Sequence, residues 1–149
     1  MDIELTNLTT EHLKPRAIIK LIKKAGRLAG LPRKALISIA FIDAEKIRVI
    51  NKNYRDQDEP TDVLAFLYNP ATTSHSKFII PKFVRTAYGE IFLCPEIIKE
   101  KAKERGFGEE EYQKLLLVHA ALHLKGLEHS NNEQAKKMAE KEREILEKL

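Results

Sequence analysis

The chain has 149 residues, of which 43% are hydrophobic and 32% are charged, with a formal net charge of +4. This balance is typical of a globular protein and excludes the disordered and fibrous classes, so we expect a single domain over residues 1–149. The sequence has no run near the ~20 apolar residues of a membrane span, no basic and apolar leader, and one cysteine, Cys94, which predict a cytoplasmic protein without a disulfide.

Hydrophobic periodicity predicts an alternation of strands and helices along the chain. Runs of alternating or β-branched apolar residues indicate strands, and apolar residues three and four positions apart indicate helices. The predicted strands are 3–7, 36–42, 63–67 and 89–94, and the predicted helices are 14–29, 44–54, 95–105, 109 to the stop at Gly126, and 131–148.

Elements of this number and order predict an α+β fold, a small mixed β-sheet packed with about five helices. The helix that begins at Glu109 is apolar on nearly all sides, which indicates a buried central helix. Ser130 with Glu133 has the spacing of a capping box for the last helix. Residues 68–87 form a long connection whose basic and aromatic residues suit single-stranded nucleic acid, although a plain surface excursion is the more common case.

Three of the five histidines lie close together, at positions 119, 123 and 129. His119 and His123 are four residues apart, so on a helix both rings project from one face. Gly126 stops that helix, because glycine takes the left-handed C-terminal conformation without a Cβ penalty, and His129 can then turn back as a third ligand. Three histidines that leave a coordination position open are typical of catalytic zinc. The sequence predicts a metal site, with a packing or surface cluster as the alternative.

The same stretch is close to a metalloprotease motif but lacks its base. The spacing of its three histidines and Gly126 matches the metzincin pattern, in which a glutamate directly after the first histidine is the general base. Ala120 occupies that position. Metal-assisted hydrolysis of a substrate other than a peptide is therefore the better prediction.

A second informative stretch covers residues 55–66. Its first half is polar and turn-like, and Pro60 stops any helix at the preceding residue. Loops that lead into strands often carry functional side chains. Arg55, Thr61 and Asp62 are therefore candidate site residues, with solvated loop side chains as the equally expected alternative.

Basic residues follow one face of the first predicted helix. They fall at helical spacing, which suits the phosphates of a nucleic acid. A solvated helix face is at least as common an explanation for any one of them. These candidate RNA-binding residues are Lys20, Lys23, Lys24 and Arg27.

Three motifs together resemble the YbeY family of metal-dependent hydrolases, regarded as single-strand endoribonucleases. Residues 51–55 and 61–66 are similar to N-x-x-[YF]-R and T-D-V-L-S-F, residues 89–91 to G-D-I, and residues 119–129 to H-G-x-L-H-L-x-G-Y-D-H. Every histidine of the last motif matches. The departures are Ala65 for Ser, Glu90 for Asp, Ala120 for Gly, Leu127 for Tyr and Glu128 for Asp.

The resemblance implies a zincin-like fold and cleavage of single-stranded RNA in rRNA maturation and ribosome quality control. It implies one zinc ion per chain, held by His119, His123 and His129, and Arg55 as the essential partner in the active-site cleft. Single-stranded RNA or rRNA and the ribosome or its proteins are the implied partners. The proton acceptor stays open among several groups, with Thr61 as a further supporting residue. These groups are Asp62, Glu90 and Glu128, and a 2′-hydroxyl of the substrate is an alternative attacking group.

Two other function classes remain as alternatives. One is a binding factor for RNA or the ribosome, in which the metal is structural. The other is a degenerate zinc peptidase, which the alanine at position 120 disfavours.

Overall fold

The computed structural model describes residues 1–68 and 88–149, and these contain four strands and five helices. From residue 69 onward, the connection predicted at 68–87 lies outside the described residues. None of the described helices is long and apolar enough to cross a membrane. The strands are β1 (Asp2–Asn7), β2 (Leu36–Phe41), β3 (Val63–Leu67) and β4 (Gly89–Leu93). The helices are α1 (Pro15–Ala29), α2 (Ala44–Arg55), α3 (Pro95–Arg105), α4 (Glu109–Leu124) and α5 (Asn132–Lys148).

The four strands form one mixed sheet in the order β1-β2-β4-β3. β1, β2 and β4 are parallel, and β1 reaches β2 through α1, since parallel neighbours need a crossover connection. β3 joins the edge antiparallel to β4, with Leu64 opposite Phe92. The prediction of an α+β fold with a small mixed sheet and about five helices is confirmed.

The two faces of the sheet bury different sets of side chains. Ile39 and Ile91 point to the larger core, which also contains buried residues of α1 and α4. Ala40 and Phe92 point the other way and pack in a smaller core with Ile47 of α2. Side chains alternate across a strand, so the sheet separates α2 from α4.

Helix α4 lies at the centre of the larger core. Eight of its sixteen residues are buried, and it packs against α1, α3, α5 and β3. Its first turn holds the three glutamates of positions 109–111, which the positive end of the helix dipole favours. The prediction of a buried central helix is confirmed. His119 and His123, on one side of it, remain partly exposed.

The last helix is capped by a different residue from the one predicted. Asn131 is the N-cap of α5, and its side chain accepts a hydrogen bond from the backbone N–H of Gln134 at 2.9 Å. The Gln134 side chain in turn accepts one from the backbone N–H of Ser130 at 3.1 Å. The predicted box of Ser130 with Glu133 is therefore wrong by one residue, because asparagine is as good an N-cap as serine.

Candidate metal centre and cleft

Three histidine rings from α4 and the segment after it lie together. His119 and His123 project from one side of α4, with their Nε2 atoms 2.9 Å apart. The centre of the His129 ring is 5.5 Å from that of His119 and 5.1 Å from that of His123. One ligand atom from each residue lies within 4.8 Å of the other two. The three side chains therefore form a group that could hold a metal ion.

The turn after α4 brings His129 back toward the helix. Gly126 has a φ of +96°, a left-handed conformation that residues with a Cβ rarely adopt. The backbone N–H of Leu127 donates to the carbonyl of Leu122 at 3.0 Å, and that of Gly126 donates to the carbonyl of His123 at 2.9 Å. These two bonds form a Schellman motif, so the glycine permits the reversal that the sequence predicted.

Glu142 of α5 fixes the orientation of the His119 ring. Its Oε1 atom is hydrogen-bonded to Nδ1 of His119, and its side chain is 18% exposed. Because a carboxylate can only accept, Nδ1 carries a proton, and Nε2 is the nitrogen turned toward His123. Metal-binding histidines are commonly oriented by a carboxylate in this way.

The surroundings of His123 keep its ring neutral. Burial, followed by the charges of His119, His129 and Arg55, lowers the pKa of His123 to about 4. A neutral imidazole is the form that binds a metal. On the other side of this ring, Oε2 of Glu128 lies 3.8 Å from Nδ1 of His123, and the Glu128 side chain is 61% exposed.

The donor set fits a small tetrahedral cation. With Zn–N distances of 2.0–2.1 Å, the nitrogens of a tetrahedral site are about 3.4 Å apart. The histidine nitrogens are 2.9 Å apart in the close pair and within 4.8 Å in the whole group, which brackets that value. Three imidazoles suit zinc, nickel, copper and iron, and they leave a coordination position open.

The histidines open onto a cavity of about 480 Å³, lined by α4, α5, α3 and the loop before β3. Arg55, Thr61 and Asp62 line the same cavity. The Cζ atom of Arg55 lies 5.9 Å from the centre of the Phe66 ring, and within residues 1–68 and 88–149 its guanidinium forms no ion pair. The structure therefore brings these three candidates together with the histidines.

Asp62 holds three elements of the cleft together. Its carboxylate accepts from the Tyr112 hydroxyl at 2.7 Å and from the backbone N–H of Val63 at 2.8 Å, and Nζ of Lys101 lies 3.4 Å away. Burial by itself raises the pKa of Asp62, but these partners outweigh burial and hold that pKa below its usual value. A stabilised, fully engaged carboxylate is a poor proton acceptor. Asp62 instead links β3 to α3 and α4.

Asn51 holds the loop that carries Thr61 and Asp62. It is buried one turn before Arg55, and its Nδ2 donates to the carbonyl of Glu59 at 2.8 Å. Its Oδ1 atom has no partner among the described residues. Because Asn51 and Arg55 lie four positions apart on α2, the same helix face fixes the loop and presents the guanidinium.

Two sets of predicted residues lie away from the cleft. Glu90 is buried on the opposite face of the sheet, beside Phe66 and Phe92, where it accepts a hydrogen bond from the Tyr68 hydroxyl. Burial raises the pKa of Glu90. The basic residues of α1 are exposed or partly exposed and do not line the cavity; they are Lys20, Lys23, Lys24 and Arg27.

Three charged residues that line the cleft were missed by the sequence patterns: Lys101, Arg105 and Glu142. A signal existed for Glu142, which lies four residues after Met138 and three before Ile145, the buried residues of α5. A charge on the apolar side of a helix indicates a buried partner. Lys101 and Arg105 carried no such signal, since their position in the cleft depends on how α3 packs on α4.

Comparison with known proteins points to one family. Residues 4–149 match a family model described as endoribonuclease YbeY. The chain is 36% identical over 147 residues to an endoribonuclease YbeY from Sulfurovum sp. (strain NBC37-1), across 99% of this chain and 90% of that protein. It is 33% identical over 150 residues to an endoribonuclease YbeY from Geobacillus sp. (strain WCH70), across 99% of this chain and 96% of that protein. The solution structure of TM1509 from Thermotoga maritima is similar, with a TM-score of 0.61 and 25% identity over 97% of this chain and 87% of that one.

Proposed function

The chain belongs to the family of endoribonuclease YbeY, and from this premise we propose that it is a zinc-dependent endoribonuclease that cleaves single-stranded RNA. The observation that carries the proposal is that the three histidines and Arg55 line one cavity. A cation site and a guanidinium in one cleft suit a phosphodiester substrate. The proposed role is rRNA maturation and ribosome quality control in the cytoplasm, with the ribosome or its proteins as partners.

In this proposal His119, His123 and His129 hold one zinc ion per chain. When bound, zinc supplies Lewis acidity to the phosphate and lowers the pKa of water toward ~7. The residues around the site orient the three ligand nitrogens. Glu142 orients His119, and the left-handed Gly126 brings the third ring round.

Arg55 binds the phosphate group that is cleaved. Its planar fork can donate two parallel hydrogen bonds to phosphate oxygens and so stabilise the charge that builds up in the transition state. Its guanidinium lies over the Phe66 ring, which restrains it at the cleft edge.

The carboxylates around the cleft take different roles. Thr61 donates to Asp62 at 3.2 Å and supports the wall of the cleft. Glu90 is buried on the opposite face of the sheet and does not line the described cavity. Glu128 lies beside Nδ1 of His123, on the side of the ring away from the cleft, and does not line the cavity, so we assign it the orientation of His123 and not proton transfer.

The basic face of α1 provides a second contact for the RNA or the ribosome. Lys20 and Arg27 are exposed on it, outside the cleft. A phosphate backbone that leaves the cleft can be neutralised there without competing with the histidines.

The function is tested by cleavage of one labelled RNA in single-stranded and fully paired form. Zinc-loaded wild type should cut the single strand and leave the duplex largely intact. Arg55→Ala should reduce kcat roughly a hundred- to a thousandfold, and Arg55→Lys should recover part of this because it keeps the charge but not the fork. Intact single-stranded RNA, or equal rates for wild type and Arg55→Ala, would overturn the proposal.

A further inference from the structure

We propose that Arg105, with Lys101 beside it, binds a second phosphate of the RNA strand, so that the strand runs along α4 away from the histidines. The inference rests on the proposed function, because it names a further contact of the same substrate. Lys101 and Arg105 are one turn apart on α3 and line the cavity that contains the three histidines. Neither belongs to the motifs that suggested the site.

Helix α4 forms one wall of the cavity along most of its length. Tyr112, Leu116, His119 and His123 all line it, at the spacing of a single helix face. His119 follows Tyr112 by seven positions, which is about 10 Å of helix at 1.5 Å per residue. A stacked strand rises ~3.4 Å per nucleotide, so about three nucleotides fit between the two ends.

The Arg105 side chain is held in place while its charge stays uncompensated. Its Cζ atom lies 5.5 Å from the centre of the Tyr112 ring and 5.7 Å from that of Phe107. Nη1 is 3.5 Å from the Tyr112 hydroxyl, at the outer limit of a hydrogen bond. Within residues 1–68 and 88–149, Arg105 forms no ion pair. A guanidinium that lies over two rings, with only Nη1 in a long hydrogen bond, keeps other donors for an incoming phosphate.

Lys101 adds a second cation of α3 to the cavity wall. Its Nζ atom lies 3.4 Å from Oδ2 of Asp62, and its side chain is 40% exposed. The acidic residues that line the cavity, Asp62 and Glu142, are already engaged, by Tyr112 and Lys101 in one case and by His119 in the other. Arg55, Lys101 and Arg105 face these two carboxylates in the described cavity lining, so one positive charge remains in excess, which favours a polyanion.

The experiment measures binding of a labelled ten-nucleotide single-stranded RNA to the full-length chain by fluorescence anisotropy. A chelator is present so that the RNA stays intact, and failure of the proposed cleavage cannot be mistaken for failure of this site. Arg105→Ala should weaken binding roughly five- to tenfold at 50 mM salt and reduce the salt slope by about 0.7. Arg105→Lys should keep most of the slope, since the charge remains.

Lys103→Ala is the matched control. Lys103 lies on the same helix, is exposed and does not line the cavity, so its loss should change neither the affinity nor the slope. If Arg105→Ala binds like wild type, or if both alanine variants weaken binding equally, the proposal is overturned. Thermal melts of Arg105→Ala, Arg105→Lys and Lys103→Ala test whether each variant is folded.

Neutral methylphosphonate linkages then locate the contact along the strand. In wild type, neutralising the linkage held by Arg105 should weaken binding, and in Arg105→Ala the same linkage should have no effect. Linkages held elsewhere should keep their effect in the variant. If Arg105→Ala lowers the affinity by the same factor whichever linkage is neutralised, Arg105 does not bind a defined phosphate.

Discussion

At the scale of single residues, the candidate metal centre depends on which nitrogen each imidazole presents to the cleft. His119 and His123 both turn Nε2 inward. The Nδ1 atom of His119 is taken by Glu142, and the Nδ1 atom of His123 faces Glu128 at 3.8 Å. Both carboxylates come from outside α4, so the segments after it set the orientation of the ligands.

Glu142→Gln should weaken zinc binding by about ten- to a hundredfold. The amide can donate as well as accept, so it no longer fixes the proton on Nδ1 of His119. Competition with a chromophoric chelator measures the affinity directly. Glu140→Gln removes the same charge from an exposed position of α5 and should leave the affinity unchanged. Equal zinc affinities for wild type and both variants would mean that Glu142 does not orient the ligand.

Asp62 should make a contribution to stability that depends on pH. Its pKa in the folded chain lies below the usual 3.8. Its stabilisation is therefore complete above the unfolded-state pKa and is lost as pH falls through the folded-state pKa. Asp62→Asn should lower the Tm at pH 7, and the difference from wild type should shrink below about pH 4. Thermal melts across this range test it, and a difference that stays constant with pH would contradict the assignment.

Residue spacing was enough to predict only the local part of the site. The three histidines lie on one helix and its C-terminal turn. There, the 3.6-residue periodicity and one glycine determine that the three rings come close together. Arg55 was already a candidate from its position at the start of a polar loop that leads into a strand, and the family resemblance supplied its role. Glu142 lies 23 positions from His119, and Arg105 reaches the cleft from a third helix. Contacts of this kind depend on helix packing, which no short motif records.

At the scale of secondary-structure elements, a close approach between β4 and α4 positions the histidine helix. A Cβ atom on Gly89 would lie 2.5 Å from Cδ2 of Leu124 and 3.0 Å from the carbonyl oxygen of Phe66. The hydroxyl of Tyr88 also donates to the carbonyl of Leu124 at 3.1 Å. Leu124 directly follows His123, so this contact sets the position of the rings relative to the sheet.

Gly89→Ala should destabilise the fold by about 1–3 kcal/mol, the usual cost of overpacking a core. Leu124 is fully buried and the other obstacle is backbone, so neither can yield freely. Denaturant unfolding measures the free energy of unfolding. In Gly89→Ala/Leu124→Ala, the missing leucine makes room for the new methyl group, so the double variant should be less destabilised than the sum of the single variants. Strict additivity would show that the two residues do not interact.

The bounds of the strands and helices were largely predictable. The direction in which the Glu90 side chain of β4 points was not. The strands and helices begin and end within about two residues of the predicted positions, as expected for strongly periodic segments. All five residues of β4 are buried, so no alternation of polar and apolar residues shows which way Glu90 points. The cap of α5 was missed because Ser130 and Asn131 are equally good cap residues.

At the scale of the whole molecule, the described residues 1–68 and 88–149 carry two groups of cations that could contact one nucleic-acid strand. One group of cations lines the cleft, with Arg55 near the histidines and Arg105 farther along α4. Another lies on the outer face of α1. This arrangement suits a strand that passes through the cleft and continues over the surface, which neither the overall charge nor a single motif could predict.

The central claim is that the three histidines hold a metal ion on which RNA cleavage depends. The most direct test is zinc content by elemental analysis and cleavage of a labelled single-stranded RNA, both measured on the same preparations of wild type and His119→Ala. We expect about one zinc per wild-type chain, and loss of both metal and cleavage in the variant. Wild-type protein that binds zinc but leaves the RNA intact, or a metal-free variant that still cleaves at the wild-type rate, would contradict the account.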